Sequence, residues 1–175
     1  MTTLDIKGNW LMAVSVKVCN LCKKKYSIDV ERQVKKFLAA VPDTYLRGLR
    51  TVNLCDYPPK WNGKLQGYNE RGGDYNNADG QCWINLYLTP ISSQTTKWRF
   101  NQRLELTETL AHELGHHIVE FINKQHKDTV EKEEKKAQEY EDMLVAKYYW
   151  RRYWWLVWWI VPIVLVKKIT KRFEK

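Results

Sequence analysis

Three of the four histidines in this 175-residue chain fall within six positions, in the run Leu110-Ala111-His112-Glu113-Leu114-Gly115-His116-His117. Residues four apart on a helix project from one face, so His112 and His116 can reach the same cation. Zinc takes imidazole nitrogen readily and lowers the pKa of a bound water to about 7. Glu113 stands next to His112 and can lean over the open side of such an ion. There it would accept a proton as water attacks a carbonyl carbon, then pass it to the departing amine. That is the chemistry of peptide hydrolysis, with Glu113 as general base and acid, one Zn2+ as cofactor and a peptide or protein as substrate. Solvated side chains on a surface helix are the plain alternative for two histidines at this spacing. His117 projects elsewhere and is expected to be structural or to support a ligand, and His126 to be an exposed loop residue.

The element carrying the pair is a predicted helix over Leu104–Asn123. Leu106, Leu110, Leu114, Ile118 and Phe121 recur every three or four residues and form one apolar stripe, which leaves the histidines facing a cleft. A third ligand has to come from elsewhere. The metzincin pattern needs glycine and histidine where this chain has Val119 and Ile122, so that class is excluded. A second predicted helix starts near Asp128, whose side chain with Glu131 fits a capping box, and runs through Ala137, Tyr140 and Leu144 towards Tyr148. Glu131, Glu133, Glu134, Glu139 and Glu141 on it are all candidate ligands, most of them expected to be solvated.

The segment Glu134-Lys135-Lys136-Ala137-Gln138-Glu139-Tyr140 resembles the glutamate helix of the gluzincins. It is most similar to the E-x-x-A-D-x-[FY] form of membrane-linked heat-shock and prenyl-protein proteases and of compact soluble minigluzincins. The resemblance implies Glu134 as the third zinc ligand, eighteen residues after His116, with Ala137 letting the two helices approach closely. Glu133, nearer the centre of the Ala137/Tyr140/Leu144 stripe, is the alternative. One position departs from the pattern. Where those families carry an aspartate that orients a zinc-bound histidine, this chain has Gln138, whose carbonyl can accept the imidazole N–H but adds no charge, so ligand basicity is expected to be lower. The resemblance spans roughly residues 45–148, with the lead-in from Pro42 to Leu49. It implies a zincin-like fold, a small twisted sheet packed on the active-site helix and the following glutamate helix. An edge strand, expected at Trp83–Leu88, would hold substrate in extended form. Peptide deformylases share HExxH, but their accompanying glycine-rich and cysteine motifs are missing here.

The other elements complete an α+β reading. Residues 9–18 are apolar with some alternation, and Ser27–Ala40 has helical spacing and is closed by Pro42. Thr51–Cys55 reads as a strand ending in the turn Asp56-Tyr57-Pro58-Pro59. From Asn62 to Gly80 the chain is rich in glycine, asparagine and aspartate, with Gly72-Gly73 and Asp79-Gly80 as turn signals and short extended pieces between them. Trp83–Leu88 is the strongest strand signal, stopped by Pro90. Cys19, Cys22, Cys55 and Cys82 are expected to be reduced, unpaired thiols, with a four-thiolate zinc knuckle as the alternative.

Residues 1–148 are thus expected to form one zincin-like domain, and residues 149–175 a tail. Eight basic residues and one acid, Glu174, lie from Lys147 to Lys175, so that stretch carries +7 of the net +9. Nucleic-acid binders spread such charge over a folded face, and none is expected as a partner here. Tyr153–Val166 is fourteen residues without a charge, with four tryptophans and basic flanks. As a helix it would be about 21 Å long, against a hydrocarbon layer of about 30 Å. A membrane anchor, transmembrane or lying in the interface, is the expectation; a buried core helix and an aromatic protein-binding tail are the alternatives. Asp5 beside Lys7, and an apolar stretch cut short at Lys17, make a poor secretory signal, so with a C-terminal anchor the catalytic domain is expected to face the cytoplasm.

Overall fold

Most of the predicted elements form, and their boundaries move for identifiable reasons. The structure is a computed structural model that describes residues 3–4, 10–11, 16–57, 72–94, 99–122 and 129–173. Within the 9–18 stretch the described residues form β2 (Trp10–Leu11), paired antiparallel with β1 (Thr3–Leu4), and the start of β3 (Lys17–Asn20). The first helix, α1 (Val30–Leu38), is shorter than the 27–40 spacing predicts because Asp29 caps it, its carboxylate accepting the N–H of Arg32 over 3.0 Å. A short turn of helix, α2 (Asp43–Leu46), then leads to β4 (Leu49–Cys55).

The polar stretch before Gly80 holds a full strand, β5 (Gly73–Ala78). Asp79 and Gly80 both adopt positive φ, 52° and 72°, and turn β5 directly into β6 (Gln81–Tyr87) as a tight hairpin. Pro90 does not end the structure there. It sits in the first turn of a helix, α3 (Leu88–Gln94), where its missing N–H costs nothing.

The sheet order is β3-β4-β6-β5, parallel except for β5, which runs antiparallel to β6. This corrects one expectation: the strand around Trp83–Leu88 is internal, between β4 and β5. The edge belongs to β5. A one-sided hairpin makes this unavoidable, because β6 has already given its other side to β4.

Against this sheet packs α4 (Arg99–His117), followed by a π-helical turn, Ile118–Ile122. Leu106, Leu110, Leu114 and Ile118 share one buried cluster with Val52, Leu54, Ile84 and Leu86 of the central strands. Burying each of the four contributes on the order of 2 kcal/mol, and this fixes the rotation of α4 and hence the direction of His112 and His116. The last helix, α5 (Val130–Phe173), lies along α4 and buries Ala137, Leu144 and Tyr148. The expected cap Asp128 lies outside the described residues; the carbonyl of Thr129 accepts the first helical N–H groups, from Lys132 and Glu133.

The fold is therefore α+β, a four-stranded mixed sheet on two helices that bear the histidine pair and the glutamate. α5 continues without interruption through the Trp-rich stretch, 44 residues in all, or about 66 Å. Among the described residues no helix is long and apolar enough to cross a membrane. Trp150 and Trp154, the last tryptophans whose side chains are described, are both exposed.

Candidate metal centre

The centre exists because two helices touch. A Cβ built on Gly115 of α4 would lie against the carbonyl oxygen of Ala137 and 2.8 Å from its Cα. Only glycine admits that approach, and Ala137 opposite it is fully buried. The contact lies between His112 and His116 on one helix and just past Glu134 on the other.

The three side chains converge. His112 Nε2 and His116 Nε2 are 3.2 Å apart, and Glu134 Oε2 lies 3.4 Å from the first and 3.6 Å from the second. Ligand atoms held at 2.0–2.1 Å around a tetrahedral ion are separated by about 3.3 Å, so the three separations are those of one face of such a tetrahedron. The imidazoles are about a quarter exposed and Glu134 about half, which leaves the fourth side open. These three residues can hold a metal ion, and they are the only group among the described residues that can. Glu133 lines the same cleft but stays outside the group, and Glu131 and Glu139 point to solvent.

His112 has its second nitrogen fixed. Nδ1–H donates to Glu141 Oε2 over 3.0 Å, which presents Nε2 as the lone pair and raises the pKa of the ring. The orienting acceptor is therefore a carboxylate, and not Gln138. That amide is exposed and donates to Asp142 Oδ1 over 3.2 Å. Glu141 is the residue the sequence reading misassigned, counting it only among possible ligands. Its signal was available: it stands seven residues after Glu134, two helical turns along the same face. Glu141→Gln is expected to keep the fold and weaken metal affinity about 10- to 100-fold, as measured by competition with a fluorescent chelator.

Glu113 lies at the back of the cleft, 8% exposed. It accepts the main-chain N–H of Tyr75 on β5. Burial, with the negative charge of Asp74 behind it, pushes its pKa up to about 7, against the opposing influence of His112. His116 is shifted down by burial and by His112. The cleft itself has a volume of about 920 Å³, with β5 along one wall, α4 as its floor and α5 opposite.

His117 takes no part in it. The ring is fully buried, stacks on Phe121, and donates Nε2–H to the carbonyl of Arg47 over 3.1 Å. His117→Ala is expected to cost about 2–3 kcal/mol of stability through the cavity it leaves, seen as a lower Tm, with metal affinity retained. His126 lies outside the described residues.

The thiolate knuckle does not form. All four cysteines are free, Cys82 is buried under the Tyr75 hydroxyl, and no thiol joins a metal-binding group among the described residues. Burial and Asp56 push the Cys22 thiol up to about 11, so it stays protonated.

No family model, curated protein or solved structure matches this chain. The centre stands on its own geometry.

Proposed function

We propose that this chain is a zinc-dependent peptidase of the gluzincin kind, in which His112, His116 and Glu134 hold zinc and Glu113 moves the proton. One observation carries the reading: two imidazole nitrogens and a carboxylate oxygen meet at tetrahedral separations with one side open to a cleft. Two histidines and one carboxylate with an open fourth position form the donor set of catalytic zinc sites, whereas structural sites are closed by four protein ligands. Zinc bound there supplies a Lewis acid that polarises a carbonyl and makes water a nucleophile near neutral pH.

The chain's own residues do the rest. Glu113, at the back of the cleft and protected from bulk water, takes the proton from the attacking water and returns it to the leaving amine. Glu141 holds the His112 ring in the tautomer that offers Nε2. β5 supplies the substrate rail. The main chain of Tyr87 donates to Gly72, and pairing alternates along the hairpin, so residues 73, 75 and 77 turn their main-chain groups away from β6, the Tyr75 N–H reaching Glu113. An extended peptide would add to that edge.

The tail belongs to the same proposal. With basic flanks, and exposed Trp150 and Trp154 on a helix continuous with the one bearing Glu134, it would lie in a membrane interface, the tryptophans at headgroup level.

The test is metal content and hydrolysis on one preparation. Elemental analysis is expected to find about one zinc per chain, with casein cleavage lost on chelation and restored by zinc. Zinc without cleavage would leave a silent zinc fold that docks a partner. Absence of both would leave the histidines incidental in a membrane-anchored binding module.

A further inference from the structure

Positive charge gathers where α5 leaves the domain. Three helices meet there. Gln33 of α1 donates from Nε2 to Thr107 Oγ1 of α4 over 3.3 Å and to the Tyr148 hydroxyl of α5 over 3.2 Å. Phe37 meets the Tyr148 ring edge-on, with centroids 5.3 Å apart. Around this junction stand four exposed cations: Arg32 and Lys36 on α1, Arg103 one turn before Thr107, and Arg152 one turn after Tyr148. They act on one another. Arg32 first, then Arg152 and Arg103, hold the Lys36 pKa down, against the opposing influence of Asp29. Such self-repulsion costs stability that an anionic partner would offset.

What adjoins this collar identifies the anion. Tyr148 is the last buried residue of α5 among those described. Beyond it Trp150 and Trp154 are exposed, Arg151 and Arg152 lie between them, and the uncharged run Tyr153–Val166 begins. Tryptophans beside a basic flank suit the headgroup layer, and the collar stands at the same end of the domain. Charge also orients the domain. Eight carboxylates and no described lysine or arginine line the cleft, so a negative surface attracts the collar and repels the cleft.

We infer that the collar docks the folded domain on an anionic lipid surface, with Arg32, Lys36, Arg103 and Arg152 against headgroup phosphates where α5 enters the interface. This shares with the reading above only the tail's place at a membrane, and it depends on neither zinc nor hydrolysis. The tail supplies apolar and aromatic contact, which neutral lipid also satisfies. The collar supplies the preference for negative headgroups.

The test is co-sedimentation of the full chain with vesicles of phosphatidylcholine alone, or with about one third phosphatidylserine. The anionic vesicles are expected to bind at least about tenfold more tightly, with the gap closing as salt rises. Arg32→Gln/Lys36→Gln/Arg103→Gln leaves the tail intact and should lose about 100-fold in affinity for the anionic vesicles. Its Tm should stay at or above that of the wild type, because it relieves repulsion between exposed groups. The control is Lys17→Gln/Arg47→Gln/Arg50→Gln, which removes the same charge from the other end of the sheet. There Gly48 packs on Phe121 and Lys17 pairs with Thr51, about 27 Å along α4 from Arg103. Those charges lie beyond a Debye length of the surface, so the control should lose about threefold or less. Equal losses in the two variants would mean that net charge alone is read, and would overturn the collar. Equal binding of neutral and anionic vesicles overturns it too, and leaves the tail's place at a membrane standing. No vesicle binding overturns both; collar-dependent binding of a soluble polyanion, polyglutamate or an oligonucleotide, would then reassign the charge to a soluble partner.

Discussion

Glu113→Gln is expected to lower kcat by about 10³-fold or more while leaving zinc stoichiometry at one per chain. Glu113 is not one of the three converging ligands, and glutamine keeps its volume and can still accept the Tyr75 N–H. What glutamine lacks is the ability to take a proton from water and give it back. Retention of cleavage within about tenfold of wild type would remove Glu113 from the mechanism. The same substitution has an opposite expected effect on stability. In the metal-free protein the folded-state pKa of Glu113 lies at about 7, above its unfolded value, because the carboxylate is buried beside Asp74. The folded state therefore binds more protons than the unfolded state between about pH 4.5 and 7. Its contribution to stability is intact below that window and is lost as pH rises through it, by about 3 kcal/mol in all. Metal-free Glu113→Gln should lack this loss and melt at or above the wild-type temperature at neutral pH. A bound cation would reverse the balance by favouring the charged carboxylate.

Gly115→Ala is expected to have the largest effect on the metal centre of any substitution outside its ligands. The new methyl group would meet the main chain of Ala137, 2.8 Å from its Cα, and a main chain cannot swing aside as a side chain can. Helices α4 and α5 must separate, at a cost of about 3 kcal/mol, and Glu134 moves away from both imidazoles. For a domain of this size the Tm should fall by about 6–12 °C. Zinc affinity should fall at least about tenfold, since a ligand displaced by a fraction of an ångström loses its geometry. The comparison with His117→Ala makes this specific. That variant is also destabilised, yet the site should bind zinc normally because His117 packs under Arg47 and Phe121, away from the ligands. Equal zinc affinities in the two variants would show that the Gly115–Ala137 contact does not set the site.

The parts of this site that were legible in the sequence are the parts fixed by helix periodicity. His112, Glu113 and His116 lie within one turn and a half, and the stripe of Leu106, Leu110, Leu114 and Ile118 determines which way that turn faces. Glu134 could be reached only through a likeness to a known helix, because the five candidate glutamates on α5 differ by rotation alone and rotation depends on how α5 meets α4. The same dependence hid Glu141. The likeness pointed one turn on, to position 138, whereas the Gly115–Ala137 crossing turns that position to solvent and brings position 141 over His112. Strand order was the least legible feature. The Asp79-Gly80 turn was visible, but strand pairing is non-local, and nothing in the run Gly73–Ala78 shows that its polar residues are an edge strand with one side open to the cleft.

The most direct measurement is the coordination shell of bound zinc in the full chain, read by X-ray absorption and by the anomalous signal of a zinc-loaded crystal. The expected result is one ion at 2.0–2.1 Å from His112 Nε2, His116 Nε2 and a Glu134 oxygen, with a fourth light ligand and no sulfur. An ion bound through thiolates, or bound away from those three atoms, would contradict the proposed centre, as would a protein that stays metal-free in excess zinc.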